Sequence, residues 1–82
     1  MVYFGGMKMG TLKPGRRVKI LNLDGIPKTE LAGYTQYFRD AREGSVGKVG
    51  TVKESYAPDR WLIKFSPEIT GIFSSGELRL IE

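Results

Sequence analysis

The 82-residue chain contains neither cysteine nor histidine. Without cysteine it has no thiol nucleophile, no thiolate metal ligand and no disulfide. Without histidine it lacks the commonest general base near neutral pH and the commonest metal ligand. The acids are scattered singly, apart from Asp40 and Glu43, which flank Arg42 in a stretch typical of a charged turn. The sequence therefore predicts no catalytic residue, no metal site and no cofactor, and a protein that is not an enzyme.

Long apolar runs are also missing. No stretch approaches the roughly 18–20 residues that cross a bilayer, and the first ten residues lack the pattern of a signal peptide. We therefore expect no membrane span and a cytoplasmic location. The length fits one domain, which we assign to residues 13–82 after an N-terminal extension at 1–12. The sequence leaves the oligomeric state open.

Positive charge is present, and it is concentrated at the start of the chain. Residues 1–23 hold five bases and no acid, residues 24–43 hold three bases and four acids, and residues 44–82 hold five of each. These numbers account for the net charge of +4. A basic first strand suits a polyanionic partner, but it is equally typical of the solvated face of an ordinary basic protein.

Five short stretches have the alternation of β-strands. In the first of them Val18 and Ile20 fall on one face, and in the third Trp61 and Ile63 do so. The spacing of Val49 and Val52 breaks strict alternation and predicts a one-residue slip near Gly50. The stretches are "RRVKILNL" (16–23), "GKVGTVKES" (47–55), "RWLIKFS" (60–66), "IFSS" (72–75) and "LRLIE" (78–82), with a helical turn predicted at "SGEL". They predict an all-β fold, a small five-stranded barrel.

Residues 24–46 form an unusually long connection between the first two strands. We expect it to be partly helical, with Thr35 capping "QYFRDAR" and with Tyr34 and Phe38 on one side. Two interpretations stay open: the segment is a functional loop, or it covers an open edge of the sheet.

The order of these signals resembles the SH3-like barrels. The stretch "VGKVGTVKES" resembles a KOW motif, the glycine-centred strand of several ribosomal proteins and transcription elongation factors, with Gly50 at the invariant glycine and Val52 at the next core position. The tail "KFSPEITGIFSSGELRLIE" resembles that of a small SH3-like accessory protein of photosystem I and of similar small electron-transfer proteins. The resemblance covers about residues 14–82, but those proteins have shorter first loops than the 24–46 segment. It implies a small barrel that acts by binding.

Two binding hypotheses follow. In the first, the protein is a binding module or accessory component that docks on a protein partner through its long loop and a barrel face. In the second, it binds nucleic acid, RNA or the ribosome, through the basic first strand and the KOW-like strand. The candidate protein-interface residues are Tyr34, Tyr37, Phe38 and Arg39, and the candidate nucleic-acid-binding residues are Arg16, Arg17, Lys19, Lys48, Lys53 and Tyr56.

We favour the protein partner, because the chain beyond residue 23 has almost no net charge and a nucleic-acid-binding domain usually spreads its bases over one face. The position of the aromatic residues distinguishes the two hypotheses. Aromatic side chains beside the basic strand would favour nucleic acid, and aromatic side chains far from it would favour protein.

Overall fold

The computed structural model describes residues 12–81, and most of them belong to one antiparallel β-sheet. The strands are β1 (Arg17–Ile20), β2 (Val49–Ala57), β3 (Arg60–Ser66), β4 (Ile69–Phe73) and β5 (Leu78–Leu80). Their order across the sheet is β4-β3-β2-β1-β5. The predicted all-β class and the five strands are confirmed. Within residues 12–81, β4 and β5 lie at opposite ends of the sheet and do not pair, so the sheet does not close into a barrel.

Alternate side chains of the strands point to one side of the sheet and form the core. On β1, Val18 and Ile20 are buried while Arg17 is exposed, as the sequence predicts. On β3, Trp61 and Ile63 are buried on the same side. The core cluster consists of Leu12, Val18, Ile20, Val52, Trp61, Ile63, Phe73 and Leu78. Leu12, which the sequence places at the end of an extension, is therefore part of the core.

The predicted slip near Gly50 is wrong. Gly50 and Val52 both face the core, and Val49 and Thr51 face away, so β2 alternates regularly through the glycine. The register shifts only after Val52. A Cβ on Gly50 would lie 2.6 Å from Cγ2 of Ile63, which is closer than packed atoms tolerate. The glycine therefore fills an inward position that has no room for a side chain.

Several strand ends differ from the prediction. β4 begins at Ile69 rather than at residue 72, because Thr70 and Gly71 already pair with Lys64 and Ile63. β2 continues to Ala57, and the turn to β3 contains Asp59 with a φ of 56°. The predicted helical turn at "SGEL" is confirmed as a 3-10 turn at Ser75–Glu77 that leads directly into β5.

The long connection is partly helical, as predicted. It contains α1 (Lys28–Leu31) and α2 (Gln36–Asp40), and α2 packs against β4. Thr35 occupies the N-cap position of α2, although its side chain makes no capping hydrogen bond. The segment thus lies along β4, at one end of the sheet.

The segment also accounts for a second buried layer. Leu62 and Ile72 are register partners that point away from the core, yet both are buried. A strand residue on that side is buried only where another layer covers the sheet. Within residues 12–81, the 24–46 segment packs against β4 through α2 and reaches Arg60 on β3 through Glu30 of α1. The structure therefore favours the interpretation that this segment covers an open sheet edge.

Candidate binding surfaces

A buried ion pair attaches the 24–46 segment to the sheet. Arg42 and Glu77 are both almost fully buried, and the two guanidinium Nη atoms donate to the two carboxylate oxygens at 2.9 and 2.7 Å. The guanidinium also donates to the carbonyl oxygens of Ile72 and Leu23, and it lies 5.2 Å from the centre of the Phe73 ring. The stretch is a turn with Asp40 and Glu43 exposed, as predicted, but Arg42 between them is buried and is a structural residue.

Glu77 receives further donors from the backbone. The amides of Gly25 and Ser74 donate to its carboxylate at 2.8 and 3.0 Å. Burial alone would raise the pKa of Glu77, but the hydrogen bonds from Arg42, Ser74 and Gly25 outweigh it and hold the pKa below its usual value. The carboxylate thus stays ionised and joins three separate parts of the chain.

A second ion pair lies nearer the surface. Arg60 on β3 donates through Nε and Nη2 to the two carboxylate oxygens of Glu30 on α1, at 2.5 and 2.8 Å. The hydroxyl of Tyr34 donates to the same carboxylate. These contacts lower the pKa of Glu30 to about 2, the hydrogen bond from Arg60 having the largest effect. The hydrogen bond to Glu30 in turn raises the pKa of Tyr34.

The aromatic residues of the segment pack mainly on the protein itself. Tyr34 and Phe38 are half-buried and meet the Tyr56 ring edge to face, with ring centres 5.7 and 5.9 Å apart. The hydroxyl of Tyr37 donates to the carbonyl oxygen of Glu68, while the ring stays 47% exposed. Of the predicted protein-interface aromatics, only Tyr37 therefore offers a largely free surface.

A cleft of about 620 Å³ opens between the start of the segment and α2. Arg39, the fourth predicted interface residue, lines this cleft, and its Nε is buried without a hydrogen-bond partner within residues 12–81. Bases and acids share the cleft, since Lys28 and Arg39 lie among Asp24, Asp40 and Glu43. Its mixed charge does not select a ligand of one sign.

A different surface lies where β1, β2 and β5 turn their outer side chains to solvent. In the described part of the chain, β1 pairs with β2 and β5, and the outer side chains of Arg17 and Arg79 are exposed. We call this surface the open face. It consists of Arg17, Lys19 and Leu21 along β1, Val49 and Thr51 on β2, Lys64 on the neighbouring β3, and Arg79 and Ile81 along β5, and it is bordered on β2 by the exposed Glu54.

The open face combines cations with exposed aliphatic side chains. Lys19 lies directly opposite Arg79 on one side and Val49 on the other. Within residues 12–81, neither Lys19 nor Arg79 forms an ion pair with an acid. Like charges placed directly opposite each other in a sheet destabilise it. The face therefore carries unneutralised positive charge, and Leu21, Val49 and Ile81 are each at least a third exposed beside it.

The structure brings together only some of the predicted nucleic-acid-binding residues. Arg17 and Lys19 lie on the open face, and Arg16 beside them is half-buried. Lys48 and Lys53 are exposed, one before β2 and the other at its bulge. Tyr56 is 48% exposed but lies about 16 Å along β2 from Thr51, at roughly 3.3 Å per residue. The tyrosine is thus not part of the basic surface.

Two cations of the open face, Arg79 and Lys64, were not among the predicted site residues. Their positions were readable from alternation, since "LRLIE" points Leu78 and Leu80 inward and "RWLIKFS" points Ile63 inward. The remaining side chains must then point outward, to the side of Lys19. What the sequence did not show was the order of the strands, which places β5 next to β1.

Comparisons of the chain with protein-family models, with curated protein sequences and with solved structures gave no match. In the described part of the chain, no helix has the length and apolar character that crossing a membrane requires. Residues 12–81 also contain no cluster of three or more acids that would hold a metal ion.

Proposed function

We propose that the protein is a non-catalytic binding module that docks on a protein partner through its open face. One observation carries this proposal: Lys19 and Arg79 face each other, no acid of residues 12–81 forms an ion pair with either, and exposed aliphatic side chains lie beside them. A partner with acidic and aliphatic side chains would neutralise the two cations and bury Leu21, Val49 and Ile81 in the same contact.

The positions of the aromatic rings favour protein over nucleic acid. Single-stranded nucleic acids are bound by stacking bases on aromatic side chains beside a basic groove. In residues 12–81 the exposed aromatics Tyr37 and Tyr56 belong to the part of the molecule that the 24–46 segment covers. The open face instead presents aliphatic side chains, which suit the apolar centre of a protein interface.

The 24–46 segment has a smaller part in this proposal than the sequence suggested. Its ion pairs and most of its rings make contacts within the chain. Docking through the long loop would rest on the Tyr37 ring and on the cleft beside Arg39. We therefore assign the segment to stabilising the sheet and the open face to binding.

Nucleic acid is the second candidate, because Arg17, Lys19, Lys64 and Arg79 form a cationic surface that could contact phosphates.

We retain as proposals the SH3-like identity of the sheet and a cytoplasmic location. Five short antiparallel strands with one long loop after the first support the former. The lack of cysteine, which is typical of reducing compartments, is compatible with the latter.

The test is an amide chemical-shift titration with two probes at low and moderate salt. One probe is a peptide that alternates Glu and Val, and the other is a mixed-sequence single-stranded RNA. We expect the peptide to shift the amides of β1, β2 and β5 and to bind more tightly than the RNA. Tighter, strongly salt-dependent binding of the RNA at these residues would replace the proposal with its alternative. Peptide shifts confined to the 24–46 segment would contradict the assignment of the open face.

A further inference from the structure

The outer edge of β5 is the free edge of the sheet beside the open face. Among residues 12–81, β5 is the last strand in the order and pairs only with β1. The opposite edge of the sheet, β4, has α2 packed along it. Natural proteins usually protect exposed strand edges, since an unpaired edge can accept a further strand. One edge of this sheet is thus covered, and the other is open.

The backbone groups available at this edge follow from the β1–β5 pairing. The amide of Leu21 donates to the carbonyl oxygen of Glu77, and that of Ile81 donates to the carbonyl oxygen of Arg17. Residues 77, 79 and 81 therefore turn their backbone groups towards β1, and Leu78 and Leu80 turn theirs away. The Leu78 amide donates to the carbonyl oxygen of Ser75 within the 3-10 turn. The carbonyl oxygens of Leu78 and Leu80 and the Leu80 amide have no backbone partner within residues 12–81.

We propose that an acidic β-strand of the partner protein adds to the edge of β5. This inference rests on the proposed function and specifies how the partner binds. Strand addition uses main-chain hydrogen bonds for affinity and alternate side chains for selectivity. The edge offers both, because its three free backbone groups flank Arg79 and the unneutralised Lys19 lies one strand further in.

The register of β5 specifies the side chains that the added strand should carry. A residue opposite Arg79 would lie on the open face and should be Asp or Glu. Its two neighbours would point to the other side of the sheet, beside Leu78 and the half-buried Leu80, and should be apolar. The ligand is therefore a strand in which acidic and aliphatic residues alternate. Residues 1–11 do not fit, since they contain Lys8 and no acid.

Two matched variants separate strand addition from docking on the whole face. Arg79 lies on the edge strand itself, whereas Lys64 lies three strands away, about 14 Å at roughly 4.8 Å per strand. Both are exposed cations of the open face. With the Glu-Val peptide as probe, we expect Arg79→Ala to weaken binding about fivefold and Lys64→Ala to weaken it less than about twofold.

The backbone gives an independent readout in the full-length protein. Hydrogen exchange of the Leu80 amide should slow at least about tenfold when the peptide is bound, because that amide gains a partner only in the added strand. Slowed exchange at Leu80 together with the Arg79 effect would support strand addition. Peptide binding that weakens equally in both variants and leaves Leu80 exchange unchanged would overturn it, while leaving the proposed function intact. Absence of peptide binding would overturn both proposals.

Discussion

Two regions of the molecule use their charged residues in opposite ways. On the covered side, where the 24–46 segment packs against β4, Arg42 is paired with Glu77 of the turn before β5, and Arg60 on β3 is paired with Glu30 of α1. On the open face, Lys19 and Arg79 lie directly opposite each other, and neither forms an ion pair with an acid of residues 12–81. Within residues 12–81, the carboxylates that form ion pairs with Arg42 and Arg60 all belong to the covered side.

This difference separates stability from binding. Buried, fully hydrogen-bonded charges hold a fold in one arrangement, and removing either partner is costly. Exposed like charges contribute nothing favourable to the fold, and sites of this kind are where functional residues are expected. The ion pairs of the covered side therefore stabilise the molecule, whereas binding is the role that we propose for the open face.

The largest effect is expected from breaking the buried ion pair. Arg42→Met leaves the carboxylate of Glu77 buried without its charged partner, so we expect the free energy of unfolding to fall by about 3–5 kcal/mol. Urea unfolding measures this loss. The double variant Arg42→Met/Glu77→Leu should recover part of it, because no charge then remains buried. A loss below about 1 kcal/mol in the single variant would show that the pair does not attach the segment.

A smaller loss is expected from crowding the same attachment point. A Cβ on Gly25 would overlap Oγ of Ser74 and lie 2.8 Å from Cγ of Glu77. Gly25→Ala should therefore cost about 1–3 kcal/mol, measured by thermal unfolding. Gly76→Ala is the matched control, since no atom lies within 4 Å of its added methyl group. Equal effects of the two substitutions would contradict the close packing at Gly25.

The outer ion pair makes the covered side sensitive to acid. The pKa of Glu30 falls from 4.5 to about 2 on folding, so the unfolded chain takes up a proton first as the pH decreases. Its contribution is complete above pH 4.5 and is lost as the pH falls towards 2. Between pH 6 and pH 3 the wild type should lose more unfolding free energy than Glu30→Gln, as measured by urea unfolding at each pH. Parallel losses in the two proteins would contradict the lowered pKa.

The smallest change in unfolding free energy is expected for a substitution on the open face, and it should be an increase where the preceding ones are decreases. Lys19→Glu replaces a like-charge contact with an ion pair to Arg79, so unfolding free energy should rise by about 0.2–1 kcal/mol. Differential scanning calorimetry measures this change. Lys28→Glu is the control, because it changes the net charge by the same amount on α1, outside the open face. A decrease in stability for Lys19→Glu would contradict the like-charge contact.

The sequence predicted local features well and long-range contacts poorly. Alternation identified Val18, Ile20, Trp61 and Ile63 as core residues, because that period depends only on neighbouring positions. It did not pair Arg42 with Glu77, since those residues lie 35 positions apart and meet only when the segment folds over β4. It likewise missed Arg79 as the neighbour of Lys19, which depends on strand order. The prediction of a slip near Gly50 was wrong because glycine has no apolar side chain, so the alternation did not identify its position as inward-facing.

The central claim is that the open face binds and the covered side does not. The most direct measurement is the affinity of the Glu-Val peptide for two variants, Lys19→Glu and Tyr37→Ala, by titration calorimetry. Tyr37 is the most exposed aromatic among the protein-interface residues predicted from the sequence. We expect Lys19→Glu to weaken binding by more than about fivefold and Tyr37→Ala to change it by less than about twofold. A loss of affinity in Tyr37→Ala with unchanged affinity in Lys19→Glu would contradict the account.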